Sequence, residues 1–169
     1  MSVLYTSPTA HSVSNTVSEL TLFSTVPALS ADTLVVGTTI RTTIRGVLGT
    51  TGLFPPAMRV RAKIGATVIC ESFAVTAPLA NAAAHYFTIE VLMTMRSLGG
   101  GGTAIGEGHM LCTEDASVIP KLFELATTTP QAVDTTIDNA LDVTMQWGTA
   151  SIFNSITAHH QIVEYLGAT

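Results

Sequence analysis

The clearest signal along the chain is strict alternation of apolar and polar positions. From Thr39 onward Ile40, Thr42, Ile44, Gly46 and Leu48 fall on one side, and Thr39, Arg41, Thr43 and Arg45 on the other. A period of two over this length predicts a strand with one buried face. The same pattern returns at Met58, Val60, Ala62 and Ile64 against Arg59, Arg61 and Lys63. Gly65-Ala66 predicts a turn into a short strand over 67–73. A longer strand is predicted from Tyr86 to Ser97, with Phe87, Ile89, Val91, Met93 and Met95 inward. Gly99 to Gly102 then form a flexible four-glycine connection to a strand over 103–112, so the pair reads as a hairpin. Leu141, Val143, Met145 and Trp147 alternate with Asp142, Thr144 and Gln146, and a last strand is expected over 155–165.

Between these lie weaker segments. Glu19 to Val26 reads as a strand that Pro27 ends, and Thr135 to Ile137 as a short one. Gly49 to Gly52 with Pro55-Pro56, residues 74–84 and residues 148–154 read as loops. Residues 113–131 are the least regular, and Lys121 to Thr127 fits a strand or a helical turn. Residues 1–17 carry no charge and no period and are expected to form an extended arm, with residues 18–169 as the folded domain. Eight to ten strands at hairpin spacing, with no convincing amphipathic helix, predict an all-β, antiparallel β-sandwich of jelly-roll type.

Composition narrows the function classes. Charged residues are only 11% of the chain, Lys occurs twice and Thr 27 times. Disorder and coiled coil both need more charge than this. A net charge of −5 with seven basic residues argues against a nucleic-acid partner. No run of 18 apolar residues is present, so no membrane span is expected, and the N-terminus lacks a signal-peptide pattern. Synthesis in a cytoplasm without secretion is the expectation. Cys70 and Cys112, in apolar contexts, are expected to be buried reduced thiols.

Several residues invite chemistry. Gly99–Gly102 lacks the Lys-Ser/Thr and helix of a phosphate loop. His159 and His160 should point to opposite faces of one strand. Glu107 and His109 lie two apart on one face, as an acid–base pair would. Asp138 and Asp142 have a spacing that suits a cation site poorly. No nucleophile elbow, zincin motif or Cys-x-x-Cys occurs, so no catalytic residue, cofactor or metal is expected. Trp147 is read as core. Arg41, Arg45, Arg59 and Arg61 would form one basic face if the two strands carrying them share a sheet side. That face is either a solvated guard against edge pairing or a docking surface for an acidic partner.

The stretches Leu34-Val35-Val36-Gly37-Thr38-Thr39-Ile40-Arg41, Met58-Arg59-Val60-Arg61-Ala62-Lys63-Ile64-Gly65 and Leu141 to Ala150, with Gly46 and Asn154-Ser155-Ile156-Thr157, resemble small virion proteins of tailed bacteriophages. These are jelly-roll modules that serve as capsid decoration (cement) proteins, head fibres or tail-fibre knobs. The resemblance spans roughly residues 19–165 and is most specific at Asp142 to Ala150. It implies a virion location on the capsid surface, a homotrimer, and the major capsid protein as partner. The uncharged arm would suit lacing onto a neighbouring subunit.

Overall fold

The computed structural model describes residues 2–50, 56–77, 85–113 and 120–167. The expected loops at 49–56 and 74–84, and Val118-Ile119, fall partly or wholly outside these. The first strands are β1 (Ser2–Ser7), β2 (His11–Ser14), β3 (Leu20–Thr21) and β4 (Ala28–Leu29). The long ones begin with β5 (Thr39–Gly49), β6 (Ala57–Ile64) and β7 (Thr67–Glu71). After the short β8 (Val75–Thr76) come β9 (His85–Ser97), β10 (Thr103–Thr113) and β11 (Pro120–Ala126). The last are β12 (Gln131–Ala132), β13 (Asn139–Trp147) and β14 (Ser155–Leu166). The fold is all-β and every described pairing is antiparallel.

One hydrogen-bonded path runs β1-β14-β5-β9-β10-β11-β7-β6-β13-β3. The predicted inward faces are the buried ones: on β5, β6, β9 and β13 alternate apolar side chains are sealed from water. Six steps separate β5 from β13, about 29 Å in a flat sheet at ~4.8 Å per strand. Yet Ile40 and Ile44 share one core with Val143 and Met145. The sheet therefore curls into a half-barrel, of which β14-β5-β9-β10-β11 form one wall, the first layer, and β7-β6-β13 the other, the second layer. Its narrowest join is β11 to β7, where the pairing is Ala126 with Glu71 alone. There Gly106 of β10 faces β7, and a Cβ on it would lie 2.8 Å from Ile69 Cγ2.

Local structure departs from the alternation in three places. Of residues 19–26 only Leu20 and Thr21 pair with β13; Leu22 and Phe23 then plunge into the core. Thr135–Ile137 is a turn, not a strand, because the Asp134 carboxylate accepts from the Thr136 backbone N–H and hydroxyl. Hydrogen bonds to that carboxylate, the hydroxyl's foremost, hold it below the usual range. The stretch left open between strand and helix is strand β11, with Phe123 and Leu125 inward.

The N-terminal segment is laid along its own sheet. β2 and β1 pair in turn with the two halves of β14. Val13 is in the core, and Tyr5 meets Phe23 edge to face at 5.5 Å. The boundary at residue 17 thus does not separate an arm from a body.

Candidate functional site

The four arginines project outward as the alternation requires, but they do not form one patch. β9, β10, β11 and β7 stand between β5 and β6 on the sheet path, and the curl turns the two outer faces apart. The condition for a shared basic face fails for that topological reason.

On the β6–β13 face the charges are consumed within the chain. Arg61 donates through Nη1 to Glu19 at 2.6 Å and to Gln146 at 3.1 Å, and through Nε to Glu71 at 3.0 Å. Arg59 lies 3.8 Å from the same Glu71 carboxylate, and Lys63 lies 3.2 Å from Glu19. Burial raises the Glu19 carboxyl, but hydrogen bonds from Thr144 and Lys63 and the charges of Arg61 and Lys63 outweigh it and leave it low. The network clamps residues 17–21 across the second layer, and Gln146 adds a bond to the Val17 carbonyl. Beside it, burial raises the Asp142 carboxyl despite the bond it accepts from Thr21.

On the β14–β5–β9–β10–β11 face the pattern differs. Arg41 is bonded to Glu164 at 2.9 and 2.6 Å, directly across from it on β14. Arg45 has no ion pair among the described residues. A β-bulge between Ala158 and His160 makes His159 the extra residue. As a result His159 and His160 are both exposed on the outside, which corrects the expectation that they face opposite ways. Gly46 permits the bulge, since a Cβ there would lie 1.8 Å from the Thr157 carbonyl oxygen.

Glu107 and His109 do share the outer side of β10. The register adds two residues that sequence spacing did not reveal: His109 stands opposite Glu90 on β9 and opposite Glu124 on β11. With Leu92, Leu111 and Leu122 they line a surface groove of about 690 Å³. Glu124 lay in the stretch whose structure the sequence left open, so no period placed it. Among the described residues no group of three or more His, Cys, Asp or Glu is arranged to hold a metal ion.

The remaining candidates have structural roles. Asp138 accepts from the Ala31 backbone N–H, and Asp142 from Thr21, so they serve different segments. The four glycines form an ordered hairpin turn: Gly99 N–H donates to Thr135 Oγ1 at 2.8 Å, and Gly102 takes the Val133 N–H. Cys70 and Cys112 are buried and unlinked, as expected. Burial and then the Glu107 charge push the Cys70 thiol up to about 12, which makes it a poor nucleophile. Trp147 is core, though its indole N–H has no acceptor among the described residues.

A third feature is a set of strongly exposed apolar side chains: Phe73 just after β7, Tyr86 at the start of β9, and Ile152 and Phe153 between β13 and β14. Phe73 is 79%, Ile152 74%, Tyr86 73% and Phe153 60% exposed. Compared with known proteins, the chain matches no family model, no curated sequence and no solved structure.

Proposed function

We propose that this chain is a structural virion protein, a capsid decoration or cement protein that binds the outer face of a phage head. The observation that carries the reading is the strong exposure of Phe73, Tyr86, Ile152 and Phe153. Large apolar side chains left in the open are surface that a partner can cover. Burying one such side chain contributes about 1.5–3 kcal/mol. The role is binding, not turnover. Preferential binding to the assembled shell over free subunits would stabilise the shell by mass action. The resemblance of Asp142 to Ala150 to phage virion modules points the same way.

The same exposed side chains also suit the knob of a tail or head fibre, and this is the second reading. Copy number separates the two. A cement protein should occur in purified particles at a level near that of the shell protein, and a knob at a few dozen copies or fewer. Particles that lack the chain and stay intact, together with binding of the isolated protein to host-surface glycans, would reject the cement role.

A further inference from the structure

The described glutamates divide cleanly. Glu19, Glu71 and Glu164 are each paired with arginine or lysine inside the chain. Glu90, Glu107 and Glu124 have no ion pair among the described residues, and all three line a groove on the β9–β10–β11 face; Glu90 also borders a second groove beside Arg45. The three-carboxylate groove is also apolar: Leu111 and Leu122 face each other across the strands, and Leu122 is 56% exposed. Three carboxylates without an ion pair around the exposed Leu122 and the half-buried Leu92 and Leu111 describe a docking surface for a cationic, partly apolar partner.

The complementary surface lies on the same face of the same chain. Arg45, without an ion pair among the described residues, stands opposite His160, with His159 bulged out beside it. Ile162 follows on the same side and is exposed. This corner sits on β14 and β5, at the far edge of the layer from the acidic groove on β10 and β11. The register puts the two in neighbouring rows. One row runs His160, Arg45, Thr88, Leu111, Leu122, and the next runs Ile162, Thr43, Glu90, His109, Glu124. Glu90, diagonal to Arg45 on the next strand, borders both surfaces, but at ~4.8 Å per strand Glu107 and Glu124 lie about 15 Å from the basic corner, too far to neutralise it within one molecule.

We propose that the acidic groove receives the Arg45–His159–His160 corner of a second copy of this chain. The face is charged with opposite sign at its two sides, so a copy turned about an axis along the strands lays positive over negative twice. A head-to-tail arrangement uses each surface once and closes into a ring. Purified protein tests this contact, whereas particles test capsid binding, so either can fail alone.

Charge reversal tests it. Sedimentation velocity of the full chain should show association that weakens as salt rises. Arg45→Glu alone, and Glu107→Arg with Glu124→Arg, should each raise the dissociation constant by about tenfold or more, with unchanged circular dichroism. Mixing the two variants should restore association, because each then offers the other a matched surface. Arg45→Gln should weaken association to a smaller degree, and it serves in place of the reversal if that variant fails to fold. A wild-type chain that stays monomeric in low salt, reversals that leave association unchanged, or a mixture that stays dissociated would each overturn the proposal.

Discussion

Two strands with nearly the same sequence pattern meet opposite fates. β5 presents Arg41, Thr43 and Arg45 outward, and β6 presents Arg59, Arg61 and Lys63. On β6 every cation is tied to Glu19 or Glu71, and the face is closed by a crossing segment of the same chain. On the β5 layer, among the described residues, neither Arg45 nor Glu90, Glu107 and Glu124 forms an ion pair. Alternation decides which way a side chain points. What it meets there is decided by which segment the topology lays beside it. The second layer spends its charge on holding itself together, and the first keeps its charge available for another molecule.

The sharpest way to break this comparison is at the bulge that shapes the first layer. Gly46→Val would drive a side chain into the β14 backbone at Thr157, where even a Cβ has no room. Backbone atoms in a central strand pair cannot yield cheaply, so a loss of about 4 kcal/mol or failure to fold is expected. Expression with thermal melting checks it. A variant that melts like the parent would mean that the bulge, and with it the paired exposure of His159 and His160, is not fixed by this close approach.

Next in size is the clamp on the second layer. Arg61 is only 14% exposed at its side chain and satisfies Glu19, Glu71 and Gln146 together. Arg61→Met should cost about 2 kcal/mol in urea unfolding, since it strands two carboxylates in a half-buried site. The clamp also predicts an acid response. Glu19 has a folded-state pKa below its ordinary value, so its contribution is full above about pH 4.5 and is lost as pH falls through the folded value. Asp142 acts in the opposite sense, because its raised folded pKa favours the protonated form in the native state. The difference between the parent and Glu19→Gln isolates Glu19: stability should fall more steeply on acidification in the parent. Parallel pH profiles would remove Glu19 from the clamp.

A smaller effect of opposite sign is expected inside the first layer. Thr42 faces inward between Ile40 and Ile44, is fully buried, and its hydroxyl has no hydrogen-bond partner. Thr42→Val keeps the shape and removes the unsatisfied group, so stability should rise by about 1 kcal/mol. A fall in the urea midpoint would show that the hydroxyl is satisfied in solution.

How far the sequence could be read follows from the same physics. Inward positions of β5, β6, β9, β10 and β13 were legible because a two-residue period survives whatever the neighbours are. Strand neighbours were not. Nothing in Arg41–Arg45 or Arg59–Lys63 tells that four strands separate them, and the single expected basic face was lost to that. Extra residues in a strand were equally hidden: His159-His160 reads as an in–out pair until Gly46 is seen to sit against Thr157. The groove combined a legible half, Glu107 and His109, with Glu124 from a segment whose period was too short to assign. Turn chemistry at Asp134 overrode the β-propensity of Thr135–Ile137 in the same local way.

The least disruptive substitution returns to the opening contrast. Arg45→Ala removes a side chain that makes no ion pair among the described residues, so its effect on unfolding of the dilute chain should stay within about 0.5 kcal/mol. Arg61→Ala, the same exchange on the matching face, should cost several times more. Measured side by side in urea, the two values test whether charge on the first layer is spare and charge on the second is structural. Equal losses at both positions would mean that Arg45 is held inside the chain after all. The two layers would then differ in geometry alone, with no division of labour between them.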